Sequence, residues 1–253
     1  MNTKHLKQIA KRKLPSAISN WLGTQLKGKE YCPLVGTINF GNLRRLKPIS
    51  REFGYDRGLP IDRYYIENFL ARQAYDVHGR VLEIGEATYT RRFGGDRVTK
   101  SDVLHVVEGN PEATIVGDLT NADNIPSEAF DCVILTQTLH LLYDMKTGLA
   151  NLYRILKPGG ILLVTVPGIS QVVKCDWGSD WCWALTAQSA RMLFEEFFPK
   201  INIEVETHGN VLTAIAFLQG LAVEELSKEE LDYKDDEYQV LITIRVVKAE
   251  VAS

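Results

Sequence analysis

Short apolar runs alternate with polar or helix-like segments over most of the chain after residue 80. The runs lie at Val81–Ile84, Val98–Val103, Thr114–Val116, Cys132–Leu135 and Ile161–Val166. All are rich in Val, Ile and Leu, which is typical of strands buried on both faces. Runs of this kind, separated by helical segments, predict an α/β domain with a mainly parallel sheet.

Apolar residues at helical spacing fill several of the intervals. They predict helices near residues 61–70, 145–156, 186–197 and 211–221. Thr186 can cap the third helix, and Lys157–Gly160 supplies a cation, a proline and two glycines that can end the second. The β-forming segment Gln239–Val247 is expected to pair antiparallel with Ile203–Glu206 at the sheet edge.

The N-terminal part of the chain has a different pattern. Residues 1–30 predict two short helices broken at Pro15, and residues 31–59 predict an irregular stretch. A chain of 253 residues is long enough for one large α/β domain with a single core. We therefore predict an N-terminal extension at residues 1–59 and one domain at residues 60–253.

Charge is unevenly distributed along the chain. Eleven lysines and arginines precede residue 54, against two acidic residues, although the net charge of the whole chain is −3. Two interpretations stay open: a basic arm that contacts anionic lipid or a phosphorylated substrate, or a solvated basic helix face packed on the acidic remainder. We expect no nucleic-acid partner, because the remainder is acidic and an Asn/Asp-Pro-Pro-aromatic motif is absent.

The cysteines and the apolar runs indicate the cellular setting. The four cysteines contain no CxxC pair, so we expect neither a disulfide framework nor a metal site. No run approaches the roughly 20 apolar residues that span a bilayer, and no signal peptide is recognisable at the N-terminus. We therefore expect a cytoplasmic protein without a transmembrane segment.

Acidic and glycine residues follow the predicted strands. Glu83-Ile84-Gly85-Glu86 ends the first strand, the second reaches Asp102, Gly117-Asp118-Leu119 ends the third, and Thr136–His140 ends the fourth. Ligands of open α/β sheets bind outside the carboxyl ends of the strands. These residues are therefore the candidates for a binding site.

This ordered set resembles the class I S-adenosylmethionine-dependent methyltransferases of the type 11 group. The resemblance covers residues 60–167 and is sharpest at Phe130-Asp131 and at Leu156–Gly160. It implies a Rossmann-like fold with a mainly parallel seven-stranded sheet and S-adenosylmethionine as cofactor. It also implies methyl transfer to an oxygen or nitrogen of a small-molecule acceptor, whose identity stays open, as does the oligomeric state.

The resemblance also implies roles for individual residues in binding the cofactor. Asp102 would accept from both ribose hydroxyls and Asp118 from the adenine amino group, with Leu119 against the ring, although each acid can alternatively cap a loop. Gly85 would allow close approach of the ligand, and Glu83 would order the loop. The predicted cofactor-binding set is Arg63, Tyr64, Glu83, Gly85, Glu86, Asp102, Val103, Asp118, Leu119, Thr136 and Gln137.

The segment before the first strand has two interpretations. Arg57, Arg63 or Tyr64 can hold the methionine carboxylate of the cofactor by charge-assisted hydrogen bonds. Alternatively, Asp62 and Arg63 form a pair on a solvated helix face.

The chain also departs from the family pattern. Ala87 and Tyr89 stand where further glycines are usual, and the links from the first strand to the second and from the second to the third are short. We therefore expect the helices between these strands to be abbreviated or missing. A non-catalytic partner subunit that retains the fold is the alternative function. A nicotinamide-dependent oxidoreductase is disfavoured because GxGxxG is absent.

Two groups of residues are candidates for acceptor chemistry. His140 follows the fourth strand and is predicted to act as a general base that titrates near neutral pH; the alternative is a histidine bonded to backbone at a helix start. Trp177, Trp181 and Trp183 follow the fifth strand and can stack on an acceptor, or simply pack a long loop.

Overall fold

The structure is a computed structural model that describes residues 32–173 and 181–250, together with the helical residues Ile18, Trp21, Gly23, Gln25 and Leu26. Most of the two helices predicted at residues 1–30 therefore lies outside the described residues. The chain divides into two units, Met1–Lys47 and Pro48–Ser253. In the part of the chain that the structure describes, no helix is long and apolar enough to cross a membrane.

The second unit is built on one seven-stranded sheet. The strands are β1 (Gly79–Ile84), β2 (Val98–His105), β3 (Ile115–Val116), β4 (Phe130–Thr136), β5 (Leu156–Pro167), β6 (Ile203–His208) and β7 (Leu241–Val247). Their order across the sheet is β3-β2-β1-β4-β5-β7-β6. The first five strands run parallel, and β7 pairs antiparallel with both β5 and β6. The mainly parallel sheet and its antiparallel edge pair are thus confirmed.

Helices cover both faces of this sheet. Within the described residues they are α1 (Ile61–Arg72), α2 (Met145–Ile155), α3 (Ala187–Glu195), α4 (Val211–Leu218) and α5 (Lys228–Asp232). Leu149 of α2 and Phe194 of α3 belong to the core on one face. Phe69 of α1 and Phe217 of α4 belong to the core on the other. The strands between are buried on both sides, which explains their continuous apolar runs.

The structure corrects two of the predicted element boundaries. β2 continues to His105, so Asp102 lies inside the strand, opposite Leu82 of β1, and not at its end. Lys157–Gly160 is not a turn after the second predicted helix: α2 ends at Ile155 and β5 begins at Leu156. Gly160 sits close to backbone there, since an added Cβ would lie 2.8 Å from the Lys157 carbonyl oxygen.

The links between the first three strands are short, as predicted. Only helical turns at Thr90–Gly94 and Gly95–Arg97 join β1 to β2, and no helix lies between β2 and β3. Residues 48–59 fall within the second unit. There the Ile49 amide donates to the Gln219 carbonyl oxygen at 2.9 Å, and the Val223 amide donates to that of Leu59 at 2.8 Å. These bonds place the segment beside α4.

Candidate active site

The loop after β1 is held by one buried carboxylate. Glu83 is 2% exposed and accepts from the Tyr89 amide at 3.0 Å, the Thr90 amide at 2.7 Å and the Thr90 hydroxyl at 2.7 Å. Burial raises the pKa of Glu83, and the hydrogen bonds from Thr90 and Tyr89 oppose that shift. The carboxylate therefore fixes the shape of the loop and is not itself free to bind a ligand by both oxygens.

Gly85 begins this loop with a backbone conformation that favours glycine. Its φ is +87°, in the left-handed region. Its amide donates to the Leu104 carbonyl oxygen at 2.9 Å, and its carbonyl oxygen accepts from the Asn110 side chain at 2.6 Å. Gly85 is thus tied to the residues that follow β2, on the carboxyl side of the sheet.

Gln137 ends β4 on the same side and is conformationally unusual. Its φ is +48°, which is uncommon for a residue other than glycine and is found most often at functional sites. Its amide donates to the Thr165 carbonyl oxygen at 2.9 Å, and its side-chain Nε2 donates to Asp62 Oδ2 at 3.3 Å. The buried Oε1 has no hydrogen-bond partner among the described residues.

A region that we name the strand-end cleft lies outside the carboxyl ends of β1 to β4. It consists of two cavities that share Ile84 and Leu141. The predicted cofactor-binding residues that line it are Arg63, Glu83, Gly85, Glu86, Thr136, Gln137, Asp118 and Leu119. Polar groups concentrate near Gly85, and apolar side chains concentrate near Leu119.

The domain family is identified by sequence. Residues 82–164, which run from β1 to β5, match a family described as "Methyltransferase domain". The mainly parallel seven-stranded sheet is the one that the resemblance to class I methyltransferases implies.

Residues 82–164 therefore match a methyltransferase domain, and the match supports a class I, S-adenosylmethionine-dependent methyltransferase. No curated protein matches the sequence.

Solved structures share the fold of this methyltransferase domain at low sequence identity. One is a SAM-dependent methyltransferase from Archaeoglobus fulgidus, with 13% identity and a TM-score of 0.50 over 74% of this chain and 94% of that one. Another is the [4+2]-cyclase SpnF, with 16% identity and a TM-score of 0.50 over 77% of this chain and 84% of that one. At these identities the likeness concerns the fold alone.

Asp102 and Val103 do not line the strand-end cleft. Asp102 is 2% exposed and accepts from Arg80 Nε at 2.7 Å and from the Thr114 hydroxyl at 3.1 Å. Burial alone would raise the pKa of Asp102, but the hydrogen bond and charge of Arg80 outweigh burial and lower it. Because β2 extends beyond Asp102, its side chain lies within the sheet beside Arg80 and not at the cleft, where the predicted contact with a ribose would be made. His105 and Asn110 line the cleft instead.

The segment before β1 divides between structural and site roles. Arg57 forms an ion pair with Glu225, and the Tyr64 hydroxyl donates to Asp232 Oδ1 at 2.6 Å, outside the cleft. Arg63 does line the strand-end cleft, where its Nη1 donates to the Tyr89 hydroxyl at 3.2 Å. Asp62 is only 8% exposed, so the interpretation of a solvated Asp62–Arg63 pair is wrong.

The Asp118 side chain has the geometry of a loop cap. Its Oδ1 accepts from the Thr120 amide at 2.8 Å and from the Thr120 hydroxyl at 2.9 Å. Among the described residues, no donor is hydrogen-bonded to Asp118 Oδ2. The neighbouring residue Leu119 is 4% exposed. Capping and ligand binding are therefore compatible for this residue.

Another cavity, which we name the aromatic cavity, adjoins the strand-end cleft. Its volume is about 240 Å³. The two share Arg63, Gln137 and Leu141. Its other lining residues are Phe53, Tyr55, Asp62, His140, Pro167, Ser170, Trp181 and Phe217.

His140 is buried in the wall of the aromatic cavity. It is 2% exposed, its ring centroid lies 4.3 Å from that of Trp181, and its Nδ1 has no hydrogen-bond partner among the described residues. Burial lowers the pKa of His140 to about 4. The expectation that this histidine titrates near neutral pH is therefore wrong. With this pKa the imidazole of His140 is neutral at pH 7.

The three predicted tryptophans have different positions. Trp181 lines the aromatic cavity. Trp183 packs a loop: its Nε1 donates to the Leu142 carbonyl oxygen at 3.0 Å, and its ring stacks on Tyr143 with centroids 6.0 Å apart. Trp177 lies outside the described residues.

Sequence reasoning missed most of the aromatic cavity. Phe53, Tyr55 and Phe217 come from segments about 160 residues apart that no motif connects. Asp62 offered one signal, a carboxylate in the first turn of a helix whose neighbours Ile61 and Tyr65 are apolar. An acid beside those positions faces the interior and needs a partner there.

Proposed function

We propose that this chain binds S-adenosylmethionine in the strand-end cleft and transfers its methyl group to an oxygen or nitrogen of a small acceptor in the aromatic cavity. The observation that carries the proposal is the junction of the two cavities at Arg63 and Gln137. A donor and an acceptor held on either side of that junction would be brought into contact there.

The residues of the strand-end cleft suit the parts of such a cofactor. Leu119 and Ile84 offer apolar surface to an adenine ring, and Asp118 offers a carboxylate to its amino group. Arg63 offers a guanidinium to a carboxylate. The left-handed turn at Gly85 keeps a side chain out of the space between these ends.

The chemistry required of the protein is modest. When bound, S-adenosylmethionine supplies a methyl group already activated on a sulfonium. On transfer the acceptor heteroatom would bond to that carbon, and the electron pair of the carbon–sulfur bond would stay on sulfur. If the acceptor is a hydroxyl or an ammonium, its proton must leave, and His140 would take it up as the neutral base in the cavity wall.

A second candidate function is a partner subunit without turnover. Tyr89 favours it, because this residue replaces a usual glycine and its hydroxyl accepts from Arg63 in the cleft. The SpnF cyclase, which shares the fold, also shows that the fold serves reactions other than methyl transfer.

Calorimetry with S-adenosylhomocysteine and, in parallel, with NAD tests the proposal. We expect saturable one-to-one binding of S-adenosylhomocysteine and no heat with NAD. No heat and no thermal shift with S-adenosylhomocysteine at millimolar concentration would leave the partner-subunit function standing and remove the enzymatic one.

A further inference from the structure

We propose that the aromatic cavity selects a neutral acceptor that presents a hydroxyl group beside a flat apolar face, and so directs methylation to oxygen. This inference rests on the proposed function, because it takes the aromatic cavity as the acceptor site. It narrows the acceptor from any oxygen or nitrogen compound to one chemical class.

The first step in the argument is the polar lining of the cavity. Gln137 and His140 line the cavity, and one buried polar atom of each side chain, Gln137 Oε1 and His140 Nδ1, lacks a partner among the described residues. A buried polar atom without a partner costs about 1–3 kcal/mol, so a ligand that hydrogen-bonds to such atoms gains affinity. Gln137 Nε2 donates to Asp62, which leaves Oε1 of the same amide as an acceptor that needs a donor. A hydroxyl is both a donor and an acceptor and can satisfy either atom.

The second step concerns charge. Asp62 and Arg63 are the charged side chains among the described residues that line the cavity, and their formal charges cancel. Arg63 Nε donates to the Tyr55 hydroxyl at 2.8 Å, so the guanidinium is already engaged on this side. A carboxylate acceptor would meet the Asp62 charge, and an ammonium would meet that of Arg63. Transferring either ion out of water costs several kcal/mol of desolvation free energy. A cavity lining whose charges cancel does not offset that cost. A neutral group avoids this cost.

The third step concerns shape. Phe53 and Phe217 lie with ring centroids 5.9 Å apart, and Trp181 covers His140. Rings of this kind pack against flat apolar surface, such as an aromatic ring or the C–H face of a sugar. The polar end of the acceptor is then directed to His140 and Gln137, where the cavity joins the strand-end cleft.

Three probes with one carbon skeleton separate the possible acceptor charges: benzyl alcohol, benzylamine (an ammonium at pH 7) and benzoate. Their binding is measured by ligand-observed NMR titration, with and without S-adenosylhomocysteine. We expect benzyl alcohol to bind at least about tenfold more tightly than either ion. Tightest binding by benzylamine or benzoate, or binding by none of the three while S-adenosylhomocysteine is bound, would overturn the proposal.

A charge change tests the same inference within the cavity. Asp62→Asn keeps the size of the side chain and leaves Arg63 without a balancing carboxylate in the protein, so this variant is titrated without S-adenosylhomocysteine, whose own carboxylate would pair with Arg63. We expect benzoate affinity to rise at least about fivefold and benzyl alcohol affinity to change less than about twofold. Asp232→Asn is the matched control, because Asp232 bonds to Tyr64 outside the cavity. An unchanged benzoate affinity in Asp62→Asn would contradict the proposal.

The design separates this inference from the proposed function. S-adenosylhomocysteine binding is measured first, by calorimetry. If it is absent, the proposed function fails regardless of the probes. If it is present and the probes show a preference for an ion, only the hydroxyl selectivity fails.

Discussion

The strand-end cleft and the aromatic cavity share Arg63, Gln137 and Leu141, yet they are assembled from different parts of the chain. The cleft is lined mainly by residues that directly follow β1 to β4, and backbone groups such as those of Gly85 shape it. The cavity is lined by side chains from segments as distant as Phe53 and Phe217. The first therefore follows from the sheet, and the second depends on how separate loops and helices meet.

This difference has consequences for evolution and for experiment. A cleft built on strand ends is constrained by the fold, so it can retain one ligand while its surroundings change. A cavity walled by loop side chains can change its acceptor without disturbing the sheet. Substitutions in the two regions should therefore separate cofactor binding from acceptor chemistry.

The largest expected effect is on the cleft. Gly85→Val forces a β-branched residue into a left-handed conformation and should move the loop by enough to lower S-adenosylhomocysteine affinity at least about a hundredfold. Gly95→Val is the control, because Gly95 has a φ of +53° and open space around it. Both variants should lose about 1–3 kcal/mol of stability from the strained backbone. Equal S-adenosylhomocysteine affinities in the two variants would refute the assignment of Gly85 to the cleft.

The matching change in the cavity is His140→Ala. It should lower turnover of the best alcohol acceptor by at least about a hundredfold and leave S-adenosylhomocysteine affinity within about twofold. Because the pKa of His140 is about 4, the acidic limb of the wild-type pH profile should lie near pH 4 and not near 6.5. His208→Ala provides the control: burial also lowers the pKa of His208 to about 4, but this residue lies outside both cavities. Wild-type turnover in His140→Ala would assign His140 to structure.

The pH dependence of the free energy of unfolding tests the burial of the two histidines. In the folded chain His140 and His208 bind protons less readily than in the unfolded chain, so the unfolded state takes up more protons between about pH 6.5 and pH 4. The free energy of unfolding should therefore fall as the pH drops through that window, by at most about 3 kcal/mol for each histidine.

The measurement is denaturant unfolding at several pH values, with wild type compared with His208→Gln. Burial raises the pKa of Asp62 and Glu83, and these groups act with the opposite sign on acidification. The difference between the two proteins removes their contribution. A variant whose stability falls as steeply as that of the wild type would contradict the account of His208.

A smaller effect is expected at Asp102. Asp102→Asn weakens the buried pair with Arg80 and should cost about 1–3 kcal/mol of unfolding free energy, measured by denaturant titration. S-adenosylhomocysteine affinity should stay within about twofold, because the side chain does not line the cleft. The exposed Asp123→Asn should change neither quantity. A tenfold loss of affinity in Asp102→Asn would return this residue to the binding site.

The sequence predicts the two regions unequally well. Apolar runs and strand-end residues such as Gly85 and Asp118 predict the sheet and most of the cleft. The end of β2 was misjudged because Val103, Leu104 and His105 continue the strand into a segment where no glycine or proline marks the end. The aromatic cavity could not be predicted, since contact between Phe53 and Phe217 arises only from tertiary packing.

The burial of individual side chains was the other property that the hydrophobic pattern of the sequence could not predict. The role of His140 as a base was proposed from its position, but the shift of its pKa depends on Trp181 and on enclosure by distant segments. A solvated Asp62–Arg63 pair was one of two open interpretations of the sequence, yet Asp62 is buried and its carboxylate accepts from Gln137 Nε2. Local sequence indicates which groups are present and tertiary structure decides their protonation.

The structure of the complex with S-adenosylhomocysteine tests the central claim most directly. The account predicts that the adenine ring lies near Leu119, that the amino-acid end lies near Gly85 and Arg63, and that the sulfur faces the aromatic cavity beside Gln137. A ligand bound elsewhere, or one whose sulfur points away from His140 and Trp181, would contradict the assignment of the two cavities to donor and acceptor.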